Sequence, residues 1–182
     1  MVEFTFVSGD AALDLAGTVR YRRHERCELL TGPAEAARWT VAAGLLDAPP
    51  HAGAADLAAA VALREAIYRA ATAVLRGEHP AAADRDAIND AAARPPVTVR
   101  LTAEGGVART GDMAAALAEV ARAAVHLLTE PLASAIKECQ DPRCTRLYVD
   151  HSRRRSRRWC DMRECGNRAK AAAFRERNLA GP

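Results

Sequence analysis

The chain has 182 residues, of which 49% are hydrophobic, 27% charged and only 4% aromatic. Alanine supplies much of the apolar content, so a thin core rich in helix is expected, because alanine favours helices but buries little area. The sequence has no apolar run of 18 residues and no basic-then-apolar N-terminus, which argues against a membrane span or a signal peptide. The composition favours a cytoplasmic protein with no membrane partner.

Helices are the main elements predicted along the chain. Residues 1–7 alternate and predict a short edge strand, and a helix is expected to start at 8–10 and run to about residue 22. Alternating segments at 97–101 and 107–110 flank a Gly-Gly turn and predict a β-hairpin. Further helices are predicted at about 33–43, 54–76, 80–93, 112–129 and 132–138. The fold is expected to be mainly α with a small β-hairpin, and the stretch 112–138 to form a rigid helical bridge between two domains.

Four of the five cysteines form two pairs with the same C-x4-C spacing, Cys139 with Cys144 and Cys160 with Cys165. Two close pairs of thiolates are the usual way to hold Zn²⁺ tetrahedrally. An Asp-Pro turn lets the first pair curl around one metal, and the second pair runs into a helix-forming segment. The spacing predicts one structural zinc ion held by all four cysteines. Two disulfides, a redox switch or four unrelated thiols are the alternatives, and disulfides would need an oxidising compartment.

Charge is distributed unevenly between the two parts of the chain. Residues 1–138 carry 14 basic and 18 acidic side chains, a net charge of −4, whereas residues 139–182 carry 12 and 5, a net charge of +7. One Zn²⁺ bound by four thiolates lowers the second value to +5. A compact basic segment on an acidic body is typical of a nucleic-acid-binding appendage.

The cysteine-rich segment resembles the CGNR zinc finger family over about residues 138–178. The resemblance rests on the two cysteine pairs, on Leu-Tyr-Val-Asp at 147–150 and on the name-giving Cys-Gly-Asn-Arg at 165–168. It implies a small four-cysteine module of treble-clef or zinc-ribbon type, with a hairpin between the cysteine pairs followed by a helix whose first turn holds the last ligand, Cys165. Its expected apolar filling is Leu147, Val149, Trp159 and Phe174.

Proteins with this finger resemble bacterial transcription regulators whose N-terminal domain is called ABATE. Residues 13–18, Leu-Asp-Leu-Ala-Gly-Thr, are similar to the ABATE signature, approximately Leu-Asp-Phe-x-Asn-Thr, with glycine in place of the usual asparagine. The resemblance implies an effector pocket near Asp14, Thr18, Arg20 and Trp39. Core packing of Trp39 and a solvated helix face for Arg20 are the competing interpretations.

The resemblance divides the chain into an ABATE-like helical domain at 1–137, which would sense an effector, and a DNA-binding CGNR finger at 138–182. We expect the finger to fold as its own unit, so that a Cys139→Ser variant would unfold the finger and spare the helical body.

Five arginines occupy the six positions 153–158. We expect this loop to lie along DNA phosphates, with one or two arginines reaching base edges. A solvated loop or a nonspecific polyanion tether is the simpler interpretation. Asn167 and Arg168 could contact DNA or brace the zinc site, since they lie beside a ligand. The predicted nucleic-acid-binding residues are Arg153, Arg154, Arg155, Arg157, Arg158, Arg168 and Lys170.

Together these features predict a DNA-binding transcription regulator with a zinc finger and a small-molecule-sensing N-terminal domain. An RNA-binding module is an alternative, although the tail has few aromatic residues for stacking on bases. A zinc–thiolate redox sensor is another, and it can coexist with DNA binding. An enzyme is not expected, because four cysteines leave no zinc position open for water. Duplex DNA and a small effector are the expected partners, and a homodimer is possible.

Overall fold

Helices dominate the structure, a computed structural model that describes residues 3–179, with side chains through Arg175. Within these residues, three two-stranded antiparallel sheets pair β1 with β2, β3 with β4 and β5 with β6. The predicted mainly α fold is therefore confirmed. The described part of the chain contains no helix with the length and apolar character needed to cross a membrane. The elements are α1 (Ala11–Ala16), β1 (Val19–Arg20), β2 (Cys27–Glu28), α2 (Pro33–Ala42), α3 (Ala54–Leu75), α4 (Ala82–Ala92), β3 (Thr98–Leu101), β4 (Val107–Thr110), α5 (Met113–Leu127), β5 (Ile136–Glu138), β6 (Leu147–Val149) and α6 (Asn167–Leu179).

The long helix α3 lies at the centre of the helical body. It begins after Gly53, whose N–H donates to the Asp56 carboxylate at 2.8 Å, and it ends just before Gly77. Gly77 has φ +74°, a left-handed conformation that glycine adopts without strain at the end of a helix. α3 packs against α1, α2, α4 and α5. Its buried side chains recur every three or four residues and are Ala60, Leu63, Arg64, Ala66, Ile67, Ala70 and Ala71.

Arg64 is fully buried although it is charged. Its Nη1 and Nη2 atoms donate to the Glu28 carboxylate at 2.6 and 2.8 Å, and its Nε donates to Glu65 at 2.9 Å. Although burial raises the pKa of Glu65, hydrogen bonds from Arg22 and Arg64 hold it below its ordinary value. A buried charge is tolerated only when it is paired. This ion-pair network therefore fixes the β1–β2 ribbon against α3.

The first helix is shorter than predicted. α1 ends at Ala16, because the chain turns at Gly17 and Val19–Arg20 pairs with Cys27–Glu28 as a strand. The prediction that this helix continues to about residue 22 is wrong. Residues 3–7 of the predicted edge strand are not in a strand, and residues 1–2 lie outside the described part of the chain.

The stretch predicted as one helical bridge, 112–138, is also interrupted. α5 ends at Leu127, and after Pro131 the chain makes a 3-10 turn at Ala133–Ala135 and enters β5. Proline cannot donate the backbone hydrogen bond that a continuing helix requires. β5 then pairs with β6, with Ile136 opposite Val149. The predicted helix at 132–138 and the rigid helical bridge are therefore wrong.

The β5–β6 hairpin contributes to the core of the helical body. Ile136, Leu147 and Val149 are at most 3% exposed and belong to the same apolar cluster as Trp39 and Ile67. The four paired cysteines form a separate cluster with Tyr148 and Trp159. The finger thus packs into the body through one face of its hairpin, and the two parts share one apolar cluster.

Candidate metal centre and nucleic-acid interface

The four predicted zinc ligands converge on one point. Cys139 and Cys144 lie in the turn that joins β5 to β6, whereas Cys160 precedes and Cys165 lies within a π-helical turn that leads into α6. Their sulfur atoms all lie within 4.8 Å of one another. The hairpin therefore encloses the first cysteine pair, because residues before Cys139 pair with residues after Cys144. The expected hairpin between the two pairs is wrong.

The spacing of the sulfur atoms matches a zinc–thiolate centre. The Sγ atom of Cys160 lies 3.7 Å from that of Cys144 and 3.6 Å from that of Cys165. Four sulfurs placed about 2.3 Å from a tetrahedral Zn²⁺ are separated by about 3.8 Å. Cys139, Cys160 and Cys165 are buried and Cys144 is half-buried. The four cysteines therefore fit one structural zinc ion with a closed coordination shell.

The closeness of the four thiols also favours a bound cation. The pKa of Cys139 is lowered because the thiols of the other three cysteines donate hydrogen bonds to its sulfur. The pKa values of Cys160 and Cys165 are raised by hydrogen bonding to Cys139 and Cys144, and burial raises them further. Four thiolates this close repel one another unless a cation lies between them. Zn²⁺ supplies that charge and keeps all four deprotonated.

Arg168, the last residue of the Cys-Gly-Asn-Arg tetrapeptide, braces the metal site. Its Nε donates to Asp141 Oδ2 at 2.7 Å, and its Nη2 donates to Cys165 Sγ at 3.1 Å. Asp141 is buried and also accepts the Arg143 N–H at 3.0 Å, which shapes the turn of the first cysteine pair. One guanidinium therefore ties the first cysteine pair to the second and orients a ligand thiolate. Asn167, in contrast, is exposed, and its amide donates to the carbonyl of Arg163.

Arg157 is also directed inward. Its Nη2 donates to the carbonyl of Val7 at 3.0 Å and its Nε to that of Trp159 at 2.9 Å. Its guanidinium carbon lies 4.4 Å from the centre of the Tyr148 ring. The Tyr148 hydroxyl donates to the Arg157 carbonyl at 2.6 Å, and burial raises the pKa of Tyr148 to about 12. Arg157 thus joins the finger to the N-terminal segment of the body.

The loop that carries the arginine run is anchored by Asp150. This buried carboxylate accepts from Lys137 Nζ at 2.7 Å and from the backbone N–H groups of Ser152 and Arg157 at 3.0 Å each. Although burial raises the pKa of Asp150, these hydrogen bonds hold it well below its ordinary value. Arg155 has φ +45° and donates to Ser134 Oγ at 2.8 Å. The backbone of the loop is therefore held in place.

The remaining predicted nucleic-acid-binding residues face solvent. Arg153 and Arg154 lie in the loop after β6, and Lys170 lies on α6. Arg158 is exposed as well, with its guanidinium carbon 4.8 Å from the centre of the Trp159 ring. Phe174, which was expected in the apolar filling of the finger, is 58% exposed. That expectation is wrong, because the metal cluster and the core of the body supply the packing.

The residues predicted to form an effector pocket lie at different depths. Trp39 and Thr18 are each 2% exposed, and Thr18 Oγ1 donates to the Leu15 carbonyl at 2.7 Å. Asp14 accepts the Ser8 N–H at 3.0 Å, and burial raises its pKa. Arg20, in β1, borders a cavity of about 580 Å³ between the N-terminal segment, Leu29 just after β2 and the π-helical turn of the finger at Met162–Gly166.

Arg146, which was not among the predicted site residues, contacts the ABATE-like segment. Arg146 is 8% exposed, and its Nη1 donates to the Thr5 carbonyl at 2.9 Å. A Cβ atom on Gly17 would lie only 2.8 Å from that Nη1 atom. The glycine that stands in place of the usual asparagine therefore leaves room for Arg146. That departure from the signature is the sequence feature that could have pointed to this contact.

Comparisons with known proteins agree with these observations. The family model ABATE, described as "Putative stress-induced transcription regulator", matches residues 9–131, and the CGNR zinc finger model matches residues 135–178. A search of curated proteins finds no match to the chain. The ABATE match covers more than half of the sequence, and the CGNR match covers the four cysteines that fit the zinc ion. The chain therefore belongs to the ABATE family and carries a CGNR zinc finger at its C-terminal side.

Proposed function

We propose that this protein is a transcription regulator whose zinc finger binds duplex DNA, mainly through the phosphates. The supporting observation is a set of exposed cations on the finger. Arg153, Arg154 and Lys170 face solvent, and none of them forms an ion pair within the described part of the chain. The finger carries a charge of +5 with zinc, on a body of charge −4. Phosphate backbones favour such a surface, whatever their sequence.

Binding of the zinc-loaded full chain to a pool of random duplexes, measured by fluorescence anisotropy at several salt concentrations, tests this function. About five phosphate contacts give a slope of log affinity against log salt of about −4 to −5. The double variant Arg153→Ala/Arg154→Ala should flatten the slope by about two units. Arg100→Ala, which removes an exposed cation from β3 of the body, is the matched control and should leave the slope unchanged. Absence of any salt-dependent binding contradicts the proposal.

For the body, we propose that an effector binds in the cavity beside Arg20. Its volume, about 580 Å³, lies within the roughly 300–1,000 Å³ typical of small-molecule sites. Phe4 and Leu29 supply apolar walls, while Arg163 and Glu164 belong to the finger. A ligand bound there would contact both parts of the chain, which is what a sensor needs.

Native mass spectrometry of the purified protein tests the effector site. A co-purifying small molecule should be lost from a Leu29→Trp variant, whose larger side chain fills the cavity. Retention of the molecule by that variant would place the effector elsewhere. We further propose that the protein is not an enzyme, since a zinc site closed by four cysteines has no coordination position for a substrate or water.

RNA binding is the second candidate function. Phe174 is 58% exposed on α6, the helix that also carries the exposed Lys170, and exposed aromatic rings stack on unpaired bases. A preference for a single-stranded RNA pool over the duplex pool, lost in a Phe174→Ala variant, would favour this function over duplex DNA binding.

A further inference from the structure

We propose that the nucleic acid lies in a basic groove between the turn of the first cysteine pair and α6, where Arg143, Arg158 and Arg175 contact successive phosphates. This inference rests on the proposed function, and it adds Arg143 and Arg175, which lie outside the arginine run, to the contact residues. The groove has a volume of about 470 Å³. One wall is formed by residues 140–143 and the other by the side of α6 that carries Arg168 and Arg175.

The shape of the groove suits a chain of phosphates. Arg168 and Arg175 are seven residues apart on α6, so their Cα atoms are separated by about 10 Å along the helix. A single small anion would occupy only part of a wall of that length, whereas successive phosphates of one strand can follow it. Ala169, Ala171 and Ala172 line the helical wall with methyl groups only, which lets a backbone approach the helix closely.

The charges in the groove are also arranged for a polyanion. Asp141 is its one acidic lining residue within the described part of the chain, and Arg168 neutralises it at 2.7 Å. Arg143 and Arg175 are exposed, and neither side chain has an ion pair among the described residues. The groove therefore keeps the positive charge of both. Two such cations facing one groove favour phosphate over neutral or cationic ligands.

Arg158 is held against Gln140, one of the residues that line the groove, before any ligand arrives. Its Nε donates to Gln140 Oε1 at 2.8 Å, and its guanidinium lies over the Trp159 ring. The Gln140 N–H in turn donates to the Arg158 carbonyl at 3.0 Å, which fixes the two segments together. A cation held in this way loses little conformational entropy on binding.

The groove is distinct from the loop that carries Arg153 and Arg154. The loop follows β6 beside Ser134 and Lys137, at the start of the hairpin, whereas residues 140–143 lie at the turn end. Three residues of β5 span about 10 Å between these ends. Because the two surfaces are separate, their contributions to binding can be measured independently.

The test compares the double variant Arg143→Ala/Arg175→Ala with Arg153→Ala/Arg154→Ala and with the control Arg100→Ala, all zinc-loaded and full-length. Removal of one phosphate-binding cation lowers duplex affinity about fivefold at 0.15 M salt, so the groove variant should bind about thirtyfold more weakly. Its salt slope should be flatter by about two units. Arg143→Lys/Arg175→Lys, which keeps both charges, should retain most of the affinity.

Filling the groove without changing its charge gives a second measurement. Ala171 is exposed on the groove wall, so Ala171→Trp should reduce duplex affinity while zinc content and helicity stay unchanged. If Ala171→Trp and the groove double variant both bind duplex DNA with full affinity, the groove is not the binding surface. The proposed DNA binding still stands in that case if the Arg153→Ala/Arg154→Ala variant is impaired. No duplex binding by the unmodified protein instead overturns the proposed function itself.

Discussion

Removal of the zinc ion is expected to lower the stability of the helical body as well as that of the finger. The metal holds the turn that joins β5 to β6, and this hairpin places Ile136, Leu147 and Val149 in the same apolar cluster as Trp39. Without zinc, the four thiols are no longer held together, so the metal no longer fixes the turn between β5 and β6. The body then loses part of its own core.

The size of the effect follows from the area that these three side chains bury. Each is at most 3% exposed, and full burial of one such side chain contributes about 1.5–3 kcal/mol. Complete detachment of the hairpin therefore removes roughly 5–9 kcal/mol, which approaches the total free energy of unfolding of a typical domain, about 5–15 kcal/mol. Even partial detachment should be measurable.

The two tryptophans make the assay specific. Trp39 lies in the body and Trp159 in the finger, so a Trp159→Phe variant reports on the body alone. Urea unfolding of this variant, followed by Trp39 fluorescence, should show a lower midpoint after zinc is removed with a chelator. Cys139→Ser should have the same effect, whereas Cys27→Ser, an exposed cysteine outside the site, should have none. An unchanged midpoint after complete zinc loss would refute the shared core.

Three further predictions follow from single contacts. Arg168→Ala should lower zinc affinity about 10–100-fold, measured by competition with a chromogenic chelator, while Arg168→Lys should recover part of it. Gly17→Asn should displace Arg146 from its backbone acceptor and lower the free energy of unfolding by about 2 kcal/mol, with a much smaller effect in an Arg146→Ala background. Tyr148, whose pKa is raised to about 12, should ionise about two pH units above the ordinary tyrosine value when absorbance at 295 nm is followed. Neutral Tyr148 makes its full contribution to the free energy of unfolding below about pH 10, and this contribution is lost as the pH rises through about 12. Tyr148→Phe should abolish the ionisation step near pH 12.

Features that depend on local sequence were predictable. α3 was predicted at 54–76 and spans Ala54–Leu75, because its apolar stripe and Gly77 are both local signals. The β3–β4 hairpin was predicted from alternation around a Gly-Gly turn. The metal centre was predicted because the spacing of four cysteines alone specifies the ligand set.

Features that depend on distant partners were not predictable. Residues 132–138 look helical, but pairing of Ile136 with Val149 overrides that preference. Arg157 is indistinguishable from its neighbours in a basic sequence, and for Arg168 the position beside a ligand left DNA contact and bracing of the zinc site both open. The first is held by a carbonyl 150 residues away and the second by a carboxylate 27 residues away. All these arginines carry the same charge in the sequence. Only the fold shows which of them support the structure and which face solvent.

The hydrogen bonds that join the finger to residues 5–9 have a consequence for synthesis of the protein. Thr5 accepts from Arg146, and Val7 accepts from Arg157, across 141 and 150 residues of sequence. At a translation rate of about 5–20 residues per second, the N-terminal segment waits roughly 7–30 s on the ribosome before its partners are made. The segment then stays without these hydrogen bonds until zinc is bound, because small zinc fingers fold only when they bind the metal. Residues 5–9 are therefore among the last parts of the fold to close, and zinc supply during translation sets how long they stay accessible to proteases and chaperones.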